Sequence, residues 1–211
     1  MCEDPQCTRH SQPLTSRQQA LKRLFDLFVA VPASIVTLPI SLAAIVLATI
    51  DTKEWGLFLQ ERIGREGEPF YVYKIRTMRS AASVTTTVTT SADPRITRLG
   101  RTLRRYKIDE LVQLWNVLRG DMSLVGPRPD VRGWADLLEG DARIVLSVRP
   151  GITGPASVAY RNEEQLLANS SSPEEMNREI IWPDKVRINR EYIETWSIRT
   201  DISLILRTVF A

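Results

Sequence analysis

The sequence predicts an α+β protein, mainly helical with a few short strands, held to a membrane by an N-terminal apolar segment. Three observations lead there: an uncharged run from Leu27 to Ile50, two short aromatic and β-branched runs behind it, and helical periodicity between Arg95 and Gly120. Of the 211 residues, 43% are apolar and 25% charged, which excludes a disordered or collagen-like chain. With 2 cysteines and 1 histidine there is no disulfide framework, and a His-based triad or His-rich metal centre is ruled out.

Taken in order, residues 1–19 read as a polar tail. Cys2, Cys7 and His10 lie in it, at a spacing that matches no closed zinc pattern. The run from Leu27 to Ile50 would form a helix of roughly 36 Å, enough for a hydrocarbon core of about 30 Å. Pro39 near its middle lacks an N–H and clashes with the Ile35 carbonyl, so the freed backbone group needs another partner. Ser34, Thr37 and Ser41 are close enough in sequence to serve. Two arrangements follow: a kinked span, or a helix-break-helix that enters and leaves by one face. Lys22 and Arg23 before the run, with Lys53, Arg62 and Arg65 after it, give little asymmetry to orient a span.

Phe58–Gln60 and Phe70–Ile75 then read as strands, with Gly64 and Gly67 marking the turn. Residues 80–92 are uncharged and low in complexity, as in a mobile loop. The net charge is +3, and only 5 of the 28 cations are Lys, leaving 23 Arg. Arginine matches phosphate oxygens bidentately, although Arg-rich codon usage gives the same count. Arg95, Arg98, Arg101 and Arg104 recur every third residue, with Arg105 and Lys107 beside them and no acid between Asp93 and Asp109. This reads as a basic stripe for an anionic partner: lipid headgroups, a nucleotide or nucleic acid.

In the following stretch Ile108, Leu111, Val112, Trp115 and Leu118 repeat at helical spacing and are expected to face a core. Asp109, Gln113 and Asn116 form a second, polar face, and Gly120 supplies the stop. Acids in a first turn often only complement the helix dipole. The alternative is a carboxylate site in which the arginines and a divalent cation offset the repulsion of an incoming phosphate. The C-terminal stretch, Tyr192 to Trp196 and Ile202 to Phe210, is amphipathic, suited to core packing with some contact at a membrane interface.

The run Asp109-Glu110-Leu111 through Gly120-Asp121-Met122-Ser123-Leu124-Val125-Gly126-Pro127-Arg128-Pro129 resembles the signature of the bacterial sugar transferase family. These are the monotopic phosphoglycosyl transferases that start O-antigen, capsule and exopolysaccharide assembly. Lys22-Arg23-Leu24-Phe25-Asp26, Gln60-Glu61-Arg62-Ile63-Gly64, Lys74-Ile75-Arg76-Thr77-Met78, Asp93-Pro94-Arg95 with Thr97, and Arg149-Pro150-Gly151-Ile152-Thr153-Gly154 match as well. The likeness covers roughly residues 20–211.

The resemblance implies transfer of a sugar 1-phosphate from a UDP-sugar to polyprenol (undecaprenyl) phosphate at the cytoplasmic face of a bacterial inner membrane. It implies Asp109 as nucleophile and Glu110 as assisting carboxylate, both close to Mg²⁺, with a covalent aspartyl phosphosugar intermediate. Lys74, Arg76, Arg104, Arg128 and Arg161 are then the expected binders of phosphate and nucleotide. Residues 20–50 become a re-entrant helix-break-helix among membrane lipids and residues 51–211 a cytosolic catalytic domain. No nucleic acid is expected as partner, and the oligomeric state, a dimer included, stays open. A membrane-attached nucleic-acid-binding protein and a catalytically silent scaffold are the competing readings. The chain departs from the family pattern at Leu38-Pro39, where Ser-Pro is usual, at Ser157 for Gln and Tyr160 for Gly, and at Asn189 for Asp.

Overall fold

In the computed structural model, which describes residues 12–80, 93–168 and 170–210, the apolar run belongs to one long helix, α1 (Ser16–Thr52). The readings made on Cys2, Cys7 and His10 and on residues 81–92 lie outside the described residues. Thr15 starts α1 with a capping box: its hydroxyl accepts from the Gln18 N–H, and the Gln18 side chain accepts from the Thr15 N–H. Lys53, at φ 62°, ends it in the left-handed conformation.

The break expected at Pro39 is not seen. Pro32 and Pro39 lie inside a helix that continues through both. A proline deletes one rung of the ladder, and the neighbouring rungs suffice to carry the helix past it. The hydroxyl of Thr37 donates to the Ala33 carbonyl at 2.8 Å rather than to Ile35. Lys22, Asp26, Ala30, Ser41, Ala44, Ala48 and Thr52 are buried and keep one helical phase, so a single face of α1 packs. The rest is open and apolar, with Phe28 80%, Ile35 69%, Val36 71% and Ile50 70% exposed, an area far larger than scattered surface residues produce.

Behind α1, strands β1 (Leu57–Ile63) and β2 (Pro69–Ile75) form an antiparallel hairpin that pairs Leu57 with Ile75 and Ile63 with Pro69. Helix α2 (Arg98–Arg105) starts at Thr97, whose hydroxyl accepts from the Gly100 N–H. The regular basic stripe breaks up here. Arg98, Arg101 and Arg105 are exposed, Arg104 turns inward, and Arg95 precedes the helix, paired with Asp93 at 2.6 Å. A period of three drifts around a helix of 3.6 residues per turn, so the four arginines cannot share one face.

The next segment is a tight 3-10 turn over Ile108–Gln113 that runs into α3 (Leu114–Arg119). Its apolar and polar faces are not divided as expected. Val112, Leu114 and Val117 are buried, but so are Asp109, Gln113 and Asn116, while Ile108, Leu111, Trp115 and Leu118 are only partly covered. The change of helix type rotates the face: Asn116 turns towards β2 and Asp109 towards the site described below, while the Gln113 Nε2 is buried without a partner among the described residues.

Two short parallel strands follow, β3 (Ser123–Val125) and β4 (Gly151–Thr153), pairing Ser123 with Gly151 and Val125 with Thr153. They approach so closely that a Cβ on Gly154 would stand 2.0 Å from the Gly126 carbonyl oxygen, so a larger residue would push apart the backbone that carries Pro127-Arg128-Pro129. Helices α4 (Pro155–Ala159), α5 (Glu163–Ala168), α6 (Pro173–Met176), α7 (Trp182–Glu194) and α8 (Ile198–Val209) complete the fold. Tyr192, Ile193, Trp196 and Leu204 enter the main core, whereas Leu206, Val209 and Phe210 stay exposed.

One turn of α1 ties these parts together. Lys22 donates to Asp201 of α8 at 2.6 Å, Arg23 donates to the Val117 and Leu118 carbonyls at 2.6 and 3.0 Å, and Asp26 accepts from the Leu124 N–H at 3.1 Å. Asp201, wholly buried, also accepts from the Tyr192 hydroxyl at 2.6 Å and the Trp196 indole at 3.1 Å. The far end of α1 meets the same body: Ala44, Ile45 and Ala48 cluster with Ile75, Leu103 and Val112. Asp201→Ala would strand a buried ammonium and two donors, so it should destabilise the protein by about 3–5 kcal/mol. Thermal melting in detergent micelles measures this, and an unchanged midpoint would mean that Lys22 finds another partner.

Candidate functional site

The site begins with a backbone feature. Lys107 adopts a left-handed conformation, φ 56°, between α2 and the 3-10 turn. For a non-glycine residue this costs about 1–2 kcal/mol, and it makes the sharp corner that brings Asp109 and Glu110 beside β2. Asn116 fixes the depth of that docking. Its amide accepts from the Tyr73 N–H at 3.0 Å and donates to the Tyr71 carbonyl at 2.7 Å, which locks α3 onto the free edge of β2. Lys74, next along the strand, therefore meets the dyad.

The two carboxylates are treated differently. Glu110 accepts from Arg128 at 2.6 Å and has Lys74 at 3.8 Å. Burial pushes its carboxyl up, but Arg128 and Lys74 outweigh that and hold it at about 2. Asp109 lies 9% exposed with Oδ1 buried and without a partner among the described residues. Burial, and then the charge of Glu110, raise its carboxyl above the ordinary value against Lys74, Arg104 and Lys107. One carboxylate is thus clamped and the other is left free to react or to ligate.

Of the cations expected here, Lys74 and Arg128 touch Glu110, and Arg104 acts on Asp109 while its Nε donates to the Thr77 hydroxyl at 2.9 Å. Arg76 is engaged elsewhere, paired with Glu54 at 3.1 Å and donating to the Trp55 carbonyl. Arg161 donates to the Arg207 carbonyl at the end of α8 and makes no contact with the dyad. Sequence reasoning missed Arg62 and Asp130 as site residues. Arg62 donates to the Pro129 carbonyl at 3.3 Å, and the Asp130 carbonyl accepts from the Ile63 N–H at 2.8 Å, so β1 holds the arginine loop in place. Arg62 did lie within a motif segment, but nothing in sequence spacing indicated that it supports the loop carrying Arg128.

Among the described residues no group of three or more Asp, Glu, His or Cys side chains is assembled for a metal. The free Asp109 oxygen nevertheless suits Mg²⁺, which commonly takes one or two carboxylates and completes its shell with water and substrate phosphate. The arrangement as a whole, an available carboxylate encircled by Lys74, Arg104, Lys107 and Arg128, is fitted to bind and attack a phosphate ester.

The family model described as bacterial sugar transferase matches residues 17–211. The chain belongs to the bacterial sugar transferase family. It is 36% identical over 206 residues to the undecaprenyl-phosphate glucose phosphotransferase of Komagataeibacter xylinus, covering 94% of this chain and 37% of that protein. It is 37% identical over 194 residues to the UDP-glucose:undecaprenyl-phosphate glucose-1-phosphate transferase of Caulobacter vibrioides, covering 89% and 68%. The protein of the same name from Escherichia coli is 33% identical over 207 residues, covering 95% and 42%. This sugar transferase chain thus spans well under half the length of two of these relatives and about two thirds of the other.

Burial first and Arg128 second lower Lys74 to about 8. The folded state therefore favours the neutral amine and gains stability as pH rises from about 8 towards 10.5, while the charge facing a phosphate is lost over that interval. Binding of inorganic pyrophosphate, followed by calorimetry, should weaken as pH passes about 8. Lys74→Arg, which keeps its charge, should bind evenly across the same range. An identical alkaline decline in the variant would assign the titration to another group.

Proposed function

We propose that this chain transfers a sugar 1-phosphate from a UDP-sugar to undecaprenyl phosphate at the cytoplasmic face of the inner membrane. The carrying observation is the unequal dyad: Asp109 has an unpartnered carboxylate oxygen while Glu110 is clamped by Arg128 and Lys74. Asp109 attacks the phosphorus that bears the sugar, the bond to the nucleoside monophosphate breaks, and an acyl phosphosugar remains on the enzyme. A phosphate oxygen of the polyprenol then attacks the same phosphorus and Asp109 leaves. Dividing the transfer allows a soluble donor and a lipid acceptor to use one site in turn.

Lys74, Arg104 and Arg128 hold the donor's phosphates and offset the charge that builds up when a carboxylate meets them. Bound Mg²⁺ would supply further neutralisation of phosphate charge, with Asp109 and Glu110 as its protein ligands. Glu110, held at about 2, keeps no proton at neutral pH and serves to aim Arg128 and Lys74 rather than to act as a base. Proximity of the acceptor follows from α1. Both of its ends pack on the same body, which supports a monotopic seating of the open apolar face against lipid over a span with ends on opposite sides.

Given a UDP-sugar and Mg²⁺ without acceptor, the intact protein should gain the mass of one sugar phosphate, and Asp109→Asn should not. Normal transfer on addition of acceptor, with no adduct at single turnover, would favour direct attack by the lipid phosphate. Arg128→Lys should lower kcat/KM by roughly 10- to 100-fold, because a point charge cannot replace the guanidinium fork at both Glu110 and a phosphate. A lysine variant with full turnover would show that the fork is not needed.

A further inference from the structure

Beside Arg128 a cleft opens between the Pro127–Asp130 loop, the end of β1 at Ile63, and one face of α7. That face presents Trp182, Val186 and Asn189, spaced i, i+4, i+7, so all three point the same way. The floor of the cleft has room for about one water and the remainder opens to solvent. Its walls are mostly apolar, but one polar group in them, on Asn189, is left without a partner among the described residues. Asn189 is 8% exposed and its Oδ1 has no partner among the described residues. The partly exposed Asp130 carboxylate lies beside it, in the field of Lys185, Arg62 and Arg128. A buried acceptor without a partner costs stability, so its retention calls for a donor that arrives from outside.

Building on the function proposed above, we infer that this cleft is the sugar subsite, in which Asn189 and Asp130 accept hydrogen bonds from hydroxyls of the donor's sugar. Connectivity favours the sugar over the nucleobase. The phosphorus attacked by Asp109 carries the sugar directly, while the base lies a further phosphate and a ribose away. Arg128 lines the cleft and also contacts Glu110, so a group seated here is next to the reacting phosphate. The composition suits a pyranose as well. An amide and a carboxylate read hydroxyls, Trp182 and Val186 meet C–H faces, and a hydroxyl takes the place of the floor water. Trp182 is held for this by an edge-to-face contact with Trp134, centroids 5.3 Å apart.

The test compares two probes on one variant. Wild-type protein must first release UMP from some UDP-sugar in the presence of undecaprenyl phosphate; release from none would sink the proposed function itself. With the accepted donor, Asn189→Ala should lower kcat/KM about tenfold, the effect of losing roughly one hydrogen bond. Its inhibition constant for UDP, which has no sugar, should not move. Melting should not fall, since the variant removes a buried acceptor that has no partner among the described residues. Asp130→Asn provides a second reading with the same pair of probes if the first variant fails to fold. Equal weakening of UDP and UDP-sugar would make this a nucleotide cleft, and no change in either variant would make it a packing gap; each result overturns the inference.

Discussion

The interaction on which the remaining structure depends is the charged turn of α1, where Lys22, Arg23 and Asp26 reach three different elements within five residues. Each contact solves a local problem. Lys22 neutralises Asp201, Arg23 occupies the last carbonyls of α3, where a cation is favoured by the helix dipole, and Asp26 takes the Leu124 N–H at the head of β3. Together they orient the long apolar helix against the helix that follows Asp109 and Glu110. A membrane anchor joined by a slack linker would leave the site at an arbitrary height above the bilayer. Here α1 is fixed to the body by buried hydrogen bonds, with no slack linker between them.

The second organising principle is division of labour between adjacent carboxylates. Two acids side by side would ordinarily compete for the same cations and repel one another. Giving Arg128 and Lys74 to Glu110 leaves Asp109 Oδ1 without a partner among the described residues, in the field of Lys74, Arg104 and Lys107. The asymmetry comes from geometry, not from residue type: neighbours in a 3-10 turn, with three residues per turn, project about 120° apart, so the two side chains meet different surroundings.

Much of this was legible in the sequence. The hairpin appeared close to its observed bounds because β-branched and aromatic runs flanked Gly64 and Gly67, and α1 because charge was absent over a long stretch. The motifs named the dyad, Lys74, Arg104 and Arg128, and these residues do lie close together in the fold. Periodicity failed where polar residues had work inside. Asp109, Gln113 and Asn116 look like a solvent face by hydrophobicity, yet all three are buried. Arg161 and Arg76 carried the right chemistry but point to backbone carbonyls elsewhere, which no local pattern encodes. Arg62 and Asp130 escaped notice because their roles depend on β1 meeting a loop more than sixty residues away.

Asn116 carries one consequence beyond the reaction. The free edge of a two-stranded hairpin is a template on which another chain can add a strand, and such edges promote aggregation. By accepting from the Tyr73 N–H and donating to the Tyr71 carbonyl, a single carboxamide reproduces the pair of bonds that a third strand would make. The residue that sets the register of Lys74 against the dyad therefore also seals the sheet. For a protein concentrated on a two-dimensional surface, where neighbours meet often, that seal keeps one copy from zipping onto the next.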